Sequence, residues 1–304
     1  MRQSAEIEAS WYGRNQLGYL SRTVLQVLSG IYASVMWLRQ RLYCWGLLRQ
    51  TRLPVPVLVV GNLIVGGAGK TPVARALAQQ LKALGWRPGI ISRGYGRKVP
   101  GVRAVGVGDD PVYVGDEPLL YAADGFPVYV GEKRAEAGRA LLAANPGVNI
   151  LIADDGLQHL ALVRDLEVVV FDQRGAGNGC QLPAGPLREP LTRLKSPLVR
   201  AVLVQGTPSE STWPPVPRYA VTLEPGLVYA LNQPEQQQAL ACFTGKSVIA
   251  LAGIGHPERF FTMLRAQGIQ VQGLDFPDHH AFSAQDIPST DLPVLMTEKD
   301  AVKC

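Results

Sequence analysis

A short stretch, "GNLIVGGAGKTP" at residues 61–72, places glycines, a lysine and a threonine in the order that phosphate binding requires. Glycines let backbone N–H groups turn inward around an anion, and a helix that starts behind them directs its positive end at the same point. Lys70 would reach the β- and γ-phosphates of a nucleotide, and the Thr71 hydroxyl would ligate Mg²⁺. The predicted nucleotide-binding residues are Gly66, Gly67, Ala68, Gly69, Lys70 and Thr71.

The loop departs from the usual G-x-x-x-x-G-K-[ST] pattern, because Ile64 stands where that pattern has its first glycine. Three glycines packed next to the lysine compensate for the change. The alternative is a glycine-rich turn in which Lys70 and Thr71 are incidental. An apolar run at 55–60 and a helical stretch at 73–84 favour the phosphate site, because its mechanism needs a strand before the loop and a helix after it.

A metal-bound nucleotide also needs a carboxylate at the end of a neighbouring strand. The stretch "NILIADDGLQH" supplies Asp154 and Asp155 directly after an apolar run. Adjacent side chains of a strand point in different directions, so one aspartate could hold Mg²⁺ while the other is structural. The alternative is a pair that caps the next helix. His159 could orient the two acids or be an ordinary loop residue.

Transfer of a phosphoryl group to a hydroxyl requires, in addition, a base or orienting acid that faces the γ-phosphate. The candidates are Asp116 in "VGDEP", Asp109 and Asp110 in "VGDDP", and Asp278, His279 and His280 in "FPDHH". Composition does not choose among them. Spacing alone favours a simpler role for Asp116 as the N-cap of a helix that starts at Glu117.

The elements that must position these residues follow from alternating apolar runs and helical stretches. Strands are predicted at 55–60, 89–92, 128–130, 149–153 and 167–171, and helices at 73–84, 117–123 and 132–144. This alternation predicts an α/β fold with a P-loop NTPase-like parallel sheet and helices on both faces. A second such region, with strands at 201–204, 219–223, 228–231, 247–252, 270–274 and 294–296 and a helix at 257–266, predicts a smaller α/β domain.

The composition of the chain and its glycine- and proline-rich stretch suggest the domain organisation. The 304 residues, with 47% hydrophobic and 18% charged content, are typical of a globular protein. A stretch rich in glycine, proline and arginine at 175–197 indicates a loop or interdomain connection. We therefore expect an N-terminal segment at 1–52, a P-loop core at 53–197 and a smaller domain at 198–304. The four cysteines are far apart, which indicates neither a zinc site nor a disulfide framework and fits a reducing, cytosolic setting.

The N-terminal segment holds the whole excess of positive charge. Seven arginines within 1–52 face only Glu6 and Glu8, a balance of 7 − 2 = +5 that equals the net charge of the chain. Such a segment is attracted to nucleic acid or to membrane headgroups. Apolar residues spaced by three and four between Leu20 and Trp45 predict an amphipathic helix that lies in the headgroup plane, too polar to span a bilayer. The alternative is a helix packed on the protein's own core.

Together these motifs resemble those of the tetraacyldisaccharide 4′-kinase family, the inner-membrane lipid A 4′-kinases of Gram-negative bacteria. The matching stretches, from residue 61 to the end, are "GNLIVGGAGKTP", "ISRGYGR", "GDEP", "DDGLQH", "LPAGPLREP", "FPDHHAFS" and "TEKDAVKC". The family's loop has its glycines directly before Gly-Lys-Thr-Pro, so Ile64 fits the family. The resemblance implies an ATP- and Mg²⁺-dependent kinase that phosphorylates the 4′-hydroxyl of a tetraacylated glucosamine disaccharide 1-phosphate, an anionic glycolipid.

The resemblance also implies roles for single residues. Asp116 would activate the sugar hydroxyl, and His279 would orient and tune that carboxylate, although the adjacent His280 is a second candidate for this role. Arg93 of "SRGYGR" and Arg188 of "PLREP" would bind phosphates of the substrate or the nucleotide. An ordinary surface position is the alternative for both arginines.

Location and partners follow from the same resemblance. It implies a peripheral enzyme on the cytoplasmic face of the inner membrane, attached through the N-terminal segment, with no nucleic-acid partner and no protein partner implied. The family's chains usually run somewhat past "TEKDAVKC", whereas this sequence stops at Cys304. The resemblance therefore implies that the family's last sheet strand or terminal helix is absent here, with an effect on stability and activity.

Two other functions are compatible with a phosphate loop. A P-loop GTPase or metallochaperone-type NTPase usually carries N/T-K-x-D for guanine, whereas "TEKD" places the lysine immediately before Asp300. No metal-binding Cys/His cluster supports the metallochaperone. A membrane-surface scaffold that binds nucleotide without turnover on a sugar lipid is the non-enzymatic alternative.

Overall fold

The computed structural model describes residues 2–206, 213–214 and 216–304. The chain divides into two compact units. The first unit comprises Met1–Arg93 and Gly131–Thr222, and the second comprises Gly94–Val130 and Leu223–Cys304. Each unit is thus assembled from two separate stretches of the chain.

Helices and strands alternate through most of the chain. The α-helices are α1 (Arg2–Trp11), α2 (Tyr19–Cys44), α3 (Lys70–Ala83), α4 (Pro111–Val114), α5 (Asp116–Ala123), α6 (Arg134–Ala144), α7 (Pro257–Ala266) and α8 (Glu298–Ala301). The strands are β1 (Val57–Gly61), β2 (Pro88–Ser92), β3 (Arg103–Val105), β4 (Val128–Val130), β5 (Ile150–Asp154), β6 (Leu166–Phe171), β7 (Val199–Gln205), β8 (Arg218–Val221), β9 (Val228–Ala230), β10 (Gln233–Gln238), β11 (Ser247–Ala252), β12 (Gln270–Asp275) and β13 (Val294–Met296). Short 3₁₀ helices cover Leu191–Lys195 and Leu240–Phe243. Every strand expected from an apolar run is present, with its ends within two residues of the prediction.

A parallel sheet forms the centre of the first unit, with the strand order β2-β5-β1-β6-β7-β8. Val60 of β1 is in register with Asp154 of β5 on one side and with Val168 of β6 on the other. Strands β1, β2 and β5 are buried along their whole length, which explains why they read as continuous apolar runs. Helices α3 and α6 pack against this sheet. The predicted parallel α/β sheet is confirmed.

The compact units do not follow the chain order expected for the domains. Strands β7 and β8, expected in the C-terminal domain, extend the sheet of the first unit by parallel pairing with β6 and with each other. Residues 94–130, expected in the P-loop core, belong to the second unit, where α5 packs against α8. Hydrophobic periodicity does not show which sheet a strand joins, because buried strands of different sheets have the same pattern.

The second unit is built around a three-stranded parallel sheet in the order β12-β11-β13. Helix α7 packs on this sheet through Phe261 and Leu264, which are buried with Val248 and Ala250 of β11. Strands β3 and β4 pair antiparallel, and β9 and β10 form a second antiparallel pair. Helix α5 contacts both β3 and β4, so the "VGDEP" stretch is held by residues of this unit.

Helix α2 contacts other parts of the first unit through hydrogen bonds. The Ser29 hydroxyl donates to the Gln181 carbonyl at 2.8 Å, and the Tyr32 hydroxyl donates to the Arg188 carbonyl at 3.0 Å. All of α2 is described, and none of its residues is buried. Its exposed apolar side chains include Leu20, Val24, Val27, Leu28, Ile31, Val35, Trp37 and Leu38. The apolar stripe is therefore open to solvent instead of packing on the core. Among the residues that the structure describes, no helix has the length and apolar content that a membrane crossing needs.

Candidate active site

The glycine-rich loop connects the end of β1 at Gly61 with the start of α3 at Lys70. Gly69 has a φ of +68°, a left-handed conformation that favours glycine. A Cβ atom at this position would lie 1.7 Å from Nε2 of Gln205, which donates a hydrogen bond to the Ala68 carbonyl at 3.0 Å. The left-handed backbone therefore favours glycine at 69, and a larger residue would also displace the Gln205 side chain.

Ile64 has a structural role that explains the departure from the general loop pattern. Its side chain is fully buried, and its backbone forms an antiparallel bridge with Leu187. The next residue, Val65, donates its N–H to the Pro186 carbonyl at 2.9 Å. The first half of the loop is therefore anchored to the "LPAGPLREP" stretch, and glycine flexibility is confined to the residues near Lys70.

The ammonium group of Lys70 lies between side-chain oxygens of two other residues, Asp155 and Asn62. Its Nζ atom lies 3.6 Å from Oδ1 of Asp155 and 3.5 Å from Oδ1 of Asn62. A guanidinium nitrogen of Arg188 lies 3.5 Å from the same Asp155 oxygen. The structure thus brings together three predicted site residues and adds Asn62. Asn62 is fully buried, and the sequence analysis missed it. Its only signal in the sequence was an asparagine close behind an apolar run.

The two adjacent aspartates have different environments. Asp154 is the last residue of β5 and is 1% exposed, whereas Asp155 has a φ of +48° and turns its carboxylate toward Lys70. Thr71, in the first turn of α3, is also buried. A threonine hydroxyl and carboxylates are hard oxygen donors of the kind that Mg²⁺ prefers. The chemistry of this donor set therefore fits the predicted magnesium ion.

Two further residues, Gln158 and Glu189, extend the site and were not anticipated. Gln158 donates to the Glu189 carboxylate at 2.8 Å and to the Asn62 carbonyl at 3.2 Å. Arg188 donates to the Gln158 side-chain oxygen at 3.3 Å. These contacts link the "DDGLQH" stretch to "PLREP" and hold the Arg188 guanidinium beside Asp155. Their signal in the sequence was a run of polar residues inside two short motifs.

His159 lies in a cationic environment. Burial, followed by the charges of Arg134, Arg164, Arg39 and Arg93, lowers its pKa to about 4. The imidazole is therefore neutral near pH 7. Arg93 itself is exposed at the end of β2.

In the second unit, Asp116 forms a close pair with His279. Nδ1 of His279 lies 2.9 Å from Oδ2 of Asp116, whose side chain is 4% exposed. Asp116 is the first residue of α5, and its N-cap is Gly115, so the simpler capping role that spacing favoured is wrong. The Tyr95 ring packs on His279 at 4.9 Å between centroids. Gly115 has a φ of +85°, and a Cβ there would lie 2.8 Å from the Tyr95 carbonyl oxygen.

The hydrogen bond between Asp116 and His279 favours the charged form of both side chains. Burial alone would raise the pKa of Asp116, but the hydrogen bond from His279 and the positive charge of Lys299 outweigh it and lower that pKa. The hydrogen bond to Asp116 raises the pKa of His279 against the effect of burial. The lysine ammonium lies 3.9 Å from Oδ2 of Asp116. The contact therefore favours a charged carboxylate at Asp116 and a protonated imidazole at His279.

The other candidate bases have different partners. Asp110 caps α4 by accepting the Val112 N–H at 2.8 Å, and Asp109 accepts the Gly106 N–H at 2.9 Å. Nε2 of His280 lies 3.3 Å from Oδ2 of Asp286. Of the two adjacent histidines, His279 is therefore the one that contacts Asp116.

Comparison with known proteins agrees with the fold and with these motifs. The LpxK family model, described as tetraacyldisaccharide-1-P 4′-kinase, matches residues 21–304. The chain belongs to the LpxK family. A tetraacyldisaccharide 4′-kinase from Chromobacterium violaceum is 50% identical over 300 residues, covering 98% of this chain and 87% of the relative. A protein of the same name from Dechloromonas aromatica is 51% identical over 284 residues, covering 92% and 83%.

A solved LpxK structure supports the same assignment. The crystal structure of LpxK from Aquifex aeolicus in complex with ATP matches with a TM-score of 0.77 at 32% identity, covering 93% of this chain and 90% of that one. This match confirms the predicted α/β fold class. Membership in the LpxK family also confirms the predicted enzyme class, a phosphotransferase of lipid A biosynthesis.

Proposed function

We propose that this chain transfers the γ-phosphate of ATP to the 4′-hydroxyl of a tetraacyldisaccharide 1-phosphate. The observation that carries the proposal is the pairing of Asp116 with His279 at 2.9 Å. A phosphate loop alone would suit any NTPase, whereas a buried, ionised carboxylate supplies the base that a sugar hydroxyl needs. The names of the relatives specify which hydroxyl, and the complex of the Aquifex aeolicus protein with ATP supports the phosphate donor.

The Asp116–His279 pair acts on the sugar hydroxyl, and the phosphate loop with Lys70 acts on the nucleotide phosphates. Asp116 accepts the proton of the 4′-hydroxyl as the oxygen attacks the γ-phosphorus and the bond to ADP breaks. His279 keeps Asp116 ionised and fixes its orientation. The backbone N–H groups of residues 66–70 and the Lys70 ammonium stabilise the negative charge on the phosphates during transfer.

The metal site belongs to the same proposal. Thr71 with Asp154 or Asp155 would hold Mg²⁺, and the ion would neutralise negative charge on the nucleotide phosphates. Asp155 already has Lys70 and Arg188 within 3.6 Å, while Asp154 ends the buried strand next to β1. We therefore assign the metal to Asp154 and the orientation of Lys70 to Asp155.

Arg188 and Arg93 are the proposed ligands for substrate or nucleotide phosphates. Arg188 is held beside Asp155 by Gln158, and its side chain is 26% exposed. Arg93 is exposed at the end of β2. Arginine suits this task because its planar guanidinium binds phosphate oxygens in pairs.

The N-terminal segment is proposed to bind the cytoplasmic surface of the inner membrane. The exposed apolar side chains of α2 lie near cations: Arg41 stacks on Trp37 at 5.4 Å, and Arg39 lies 5.9 Å from the Tyr43 ring. Aromatic and arginine side chains at the border of an apolar stripe suit a headgroup region. This placement brings the enzyme to a substrate that is itself a lipid.

The proposal is tested by incubating the protein with radiolabelled ATP and tetraacyldisaccharide 1-phosphate in detergent. We expect a labelled bisphosphorylated lipid, and no labelled product from a water-soluble glucosamine or from GTP. Hydrolysis of either nucleotide without transfer to lipid would support the NTPase alternative. Nucleotide binding without any turnover would support the scaffold.

A further inference from the structure

Lys299, in the "TEKDAVKC" stretch, has its ammonium group among three carboxylates of the second unit. Its Nζ atom lies 3.3 Å from Glu117, 3.4 Å from Asp278 and 3.9 Å from Asp116. Only 19% of the lysine side chain is exposed. One of these acids is the proposed base, Asp116; of the other two, Glu117 follows Asp116 and Asp278 precedes His279 in the sequence.

We propose that Lys299 is the positioning residue of Asp116. It neutralises the neighbouring acids and so keeps the Asp116 carboxylate ionised. It also helps to hold that carboxylate, with its hydrogen bond to His279, in the orientation that accepts the hydroxyl proton. This inference rests on the proposed kinase function, because it assigns Asp116 the role of base.

The need for a cation follows from the arrangement of the acids. Glu117 follows Asp116 directly on α5, and Asp278 precedes His279, so the sequence adds two further carboxylates next to the dyad. Like charges at this distance in a partly buried place would disfavour ionisation of at least one of them. The Lys299 ammonium contacts each acid and removes that repulsion.

Other positive groups near Asp116 do not replace Lys299. Lys303 forms an ion pair with Asp300 at 2.8 Å and donates to the Gly253 carbonyl at 3.4 Å. Its positive charge is therefore mainly balanced by Asp300. His279 donates to Asp116 but also lies 3.7 Å from Asp278. Lys299 alone, among the described residues, lies within 4 Å of Asp116, Glu117 and Asp278 together.

The backbone of α8 fixes the position of the lysine. Thr297 caps this helix by accepting the Asp300 N–H at 3.2 Å, and its hydroxyl donates to the Asp300 carboxylate at 2.7 Å. Asp300 is fully buried. Helix α8 packs on α5. This packing holds Lys299, which is on α8, close to Asp116, which is on α5.

Electrostatics gives the direction of the effect. The Lys299 charge lowers the pKa of Asp116 and also lowers the pKa of His279, while the acids around it raise the pKa of the lysine. Loss of the cation should therefore raise both pKa values of the dyad. The charged groups that act on Asp116 and remain in such a variant are His279 and Lys303. Glu117 and Asp278 would lose their contact with the lysine.

The test compares Lys299→Met and Lys299→Gln with Lys299→Arg, and uses Lys246→Met as the matched control. Lys246 is an exposed lysine at the amino end of β11, and its ammonium lies 5.9 Å from the Phe243 ring. The first measurement is kcat/KM for lipid phosphorylation as a function of pH. The second is the titration of His279 by NMR of the imidazole groups, which is tractable because the chain has four histidines.

We expect the neutral variants to move the acid limb of the pH profile upward by about one unit or more and to raise the pKa of His279. Lys299→Arg should keep both near the wild-type values, and Lys246→Met should change neither. An acid limb and a His279 titration that stay unchanged in both neutral variants would overturn the inference, even if their activity is reduced. If the wild type phosphorylates no lipid, the proposed function fails, and the NMR titration still decides whether Lys299 sets the charge of the dyad.

Discussion

Nδ1 of His279 lies 2.9 Å from Oδ2 of Asp116 although 163 residues separate the two in sequence. Each partner favours the charged form of the other, since the hydrogen bond raises the pKa of His279 and contributes to lowering that of Asp116. His279 adopts a φ of +61°, which is uncommon for a residue with a Cβ. Backbone strain of this kind persists where the surroundings hold a residue in place, and here it turns the imidazole toward the acid.

Asp116→Asn should abolish lipid phosphorylation while ATP binding persists. The amide has the shape of the carboxylate but accepts no proton, so we expect kcat to fall by about 10²–10⁴-fold. ATP affinity, measured by titration calorimetry, should stay near the wild-type value. Transfer within tenfold of the wild type would exclude Asp116 as the base.

His279→Gln should reduce stability most at mildly acidic pH. The pKa of His279 is higher in the folded than in the unfolded protein, where it is 6.5. The contribution of His279 to stability is therefore complete below pH 6.5 and is lost as the pH rises through the pKa of the folded state. The lowered pKa of Asp116 stabilises above the unfolded value of 3.8 and is lost as pH falls through the folded value. The pair therefore contributes most between about pH 4 and 6.5.

The measurement for this prediction is the thermal unfolding midpoint of both proteins by circular dichroism at pH 6 and at pH 9. The difference between wild type and variant should be larger at pH 6. A difference that is equal at both pH values, or larger at pH 9, would show that the ion pair does not form in solution.

Two glycines of the phosphate loop provide a matched comparison. Gly69→Ala places a methyl group 1.7 Å from Gln205 in a left-handed backbone, whereas Gly67→Ala meets no atom within 4 Å. Left-handed strain alone costs about 1–3 kcal/mol, so nucleotide affinity of Gly69→Ala should fall by about tenfold or more. Gly67→Ala adds no left-handed strain and keeps the backbone N–H group, so its nucleotide affinity should fall less than that of Gly69→Ala. Equal losses in the two variants would mean that the loop is not held as described.

Lys70→Ala should weaken both nucleotide binding and turnover. Its ammonium lies 3.6 Å from Asp155 at the start of α3, where it would face the phosphates, and loss of such a charge costs about 10²–10³-fold in kcat. Lys82→Ala, in the last turn of the same helix, is the control. Steady-state kinetics with varied ATP separates the two effects, and unchanged kinetics would remove Lys70 from the nucleotide site.

Replacement of the exposed apolar residues Val27, Ile31 and Val35 by serine should release the protein from vesicles. These residues lie four apart on one face of α2 and are each more than half exposed, at 61%, 57% and 58%. Serine has a helix propensity similar to that of valine and isoleucine, so the helix itself should persist. Flotation with vesicles that contain anionic lipids measures binding, and Gln26→Ser with Gln40→Ser is the control. A triple variant that floats like the wild type would assign α2 a purely structural role.

Much of the fold could be predicted because local pattern and final structure agree. The bounds of β11, α7 and β13 match the prediction residue for residue, since each has a clear apolar pattern between polar or glycine-containing turns. Strand β10 could not be predicted, because Gln233–Gln238 is a polar run, exposed throughout, whose only support is pairing with β9. Helix α4, four residues long, has too little sequence for a periodic signal.

The candidate site was predictable where one short motif contains the chemistry. The phosphate loop and the acid pair could be read in this way. The choice between His279 and His280 could not be made from the residues alone, because adjacent histidines in "FPDHH" differ only in which way the backbone turns. The effect of Lys299 on the charge of Asp116 also depends on a contact between two helices that are far apart in sequence, and residue spacing does not reveal such a contact.

The proposed reaction places a phosphate on the 4′-hydroxyl of the lipid substrate. It is observed directly by ³¹P–¹H correlation NMR of the product formed from ATP and tetraacyldisaccharide 1-phosphate. We predict a second phosphomonoester coupled to the proton on C-4′, absent when Asp116→Asn replaces the wild type. A phosphate on another hydroxyl, a diphosphate at C-1, or free inorganic phosphate as the only product would be incompatible with this reaction.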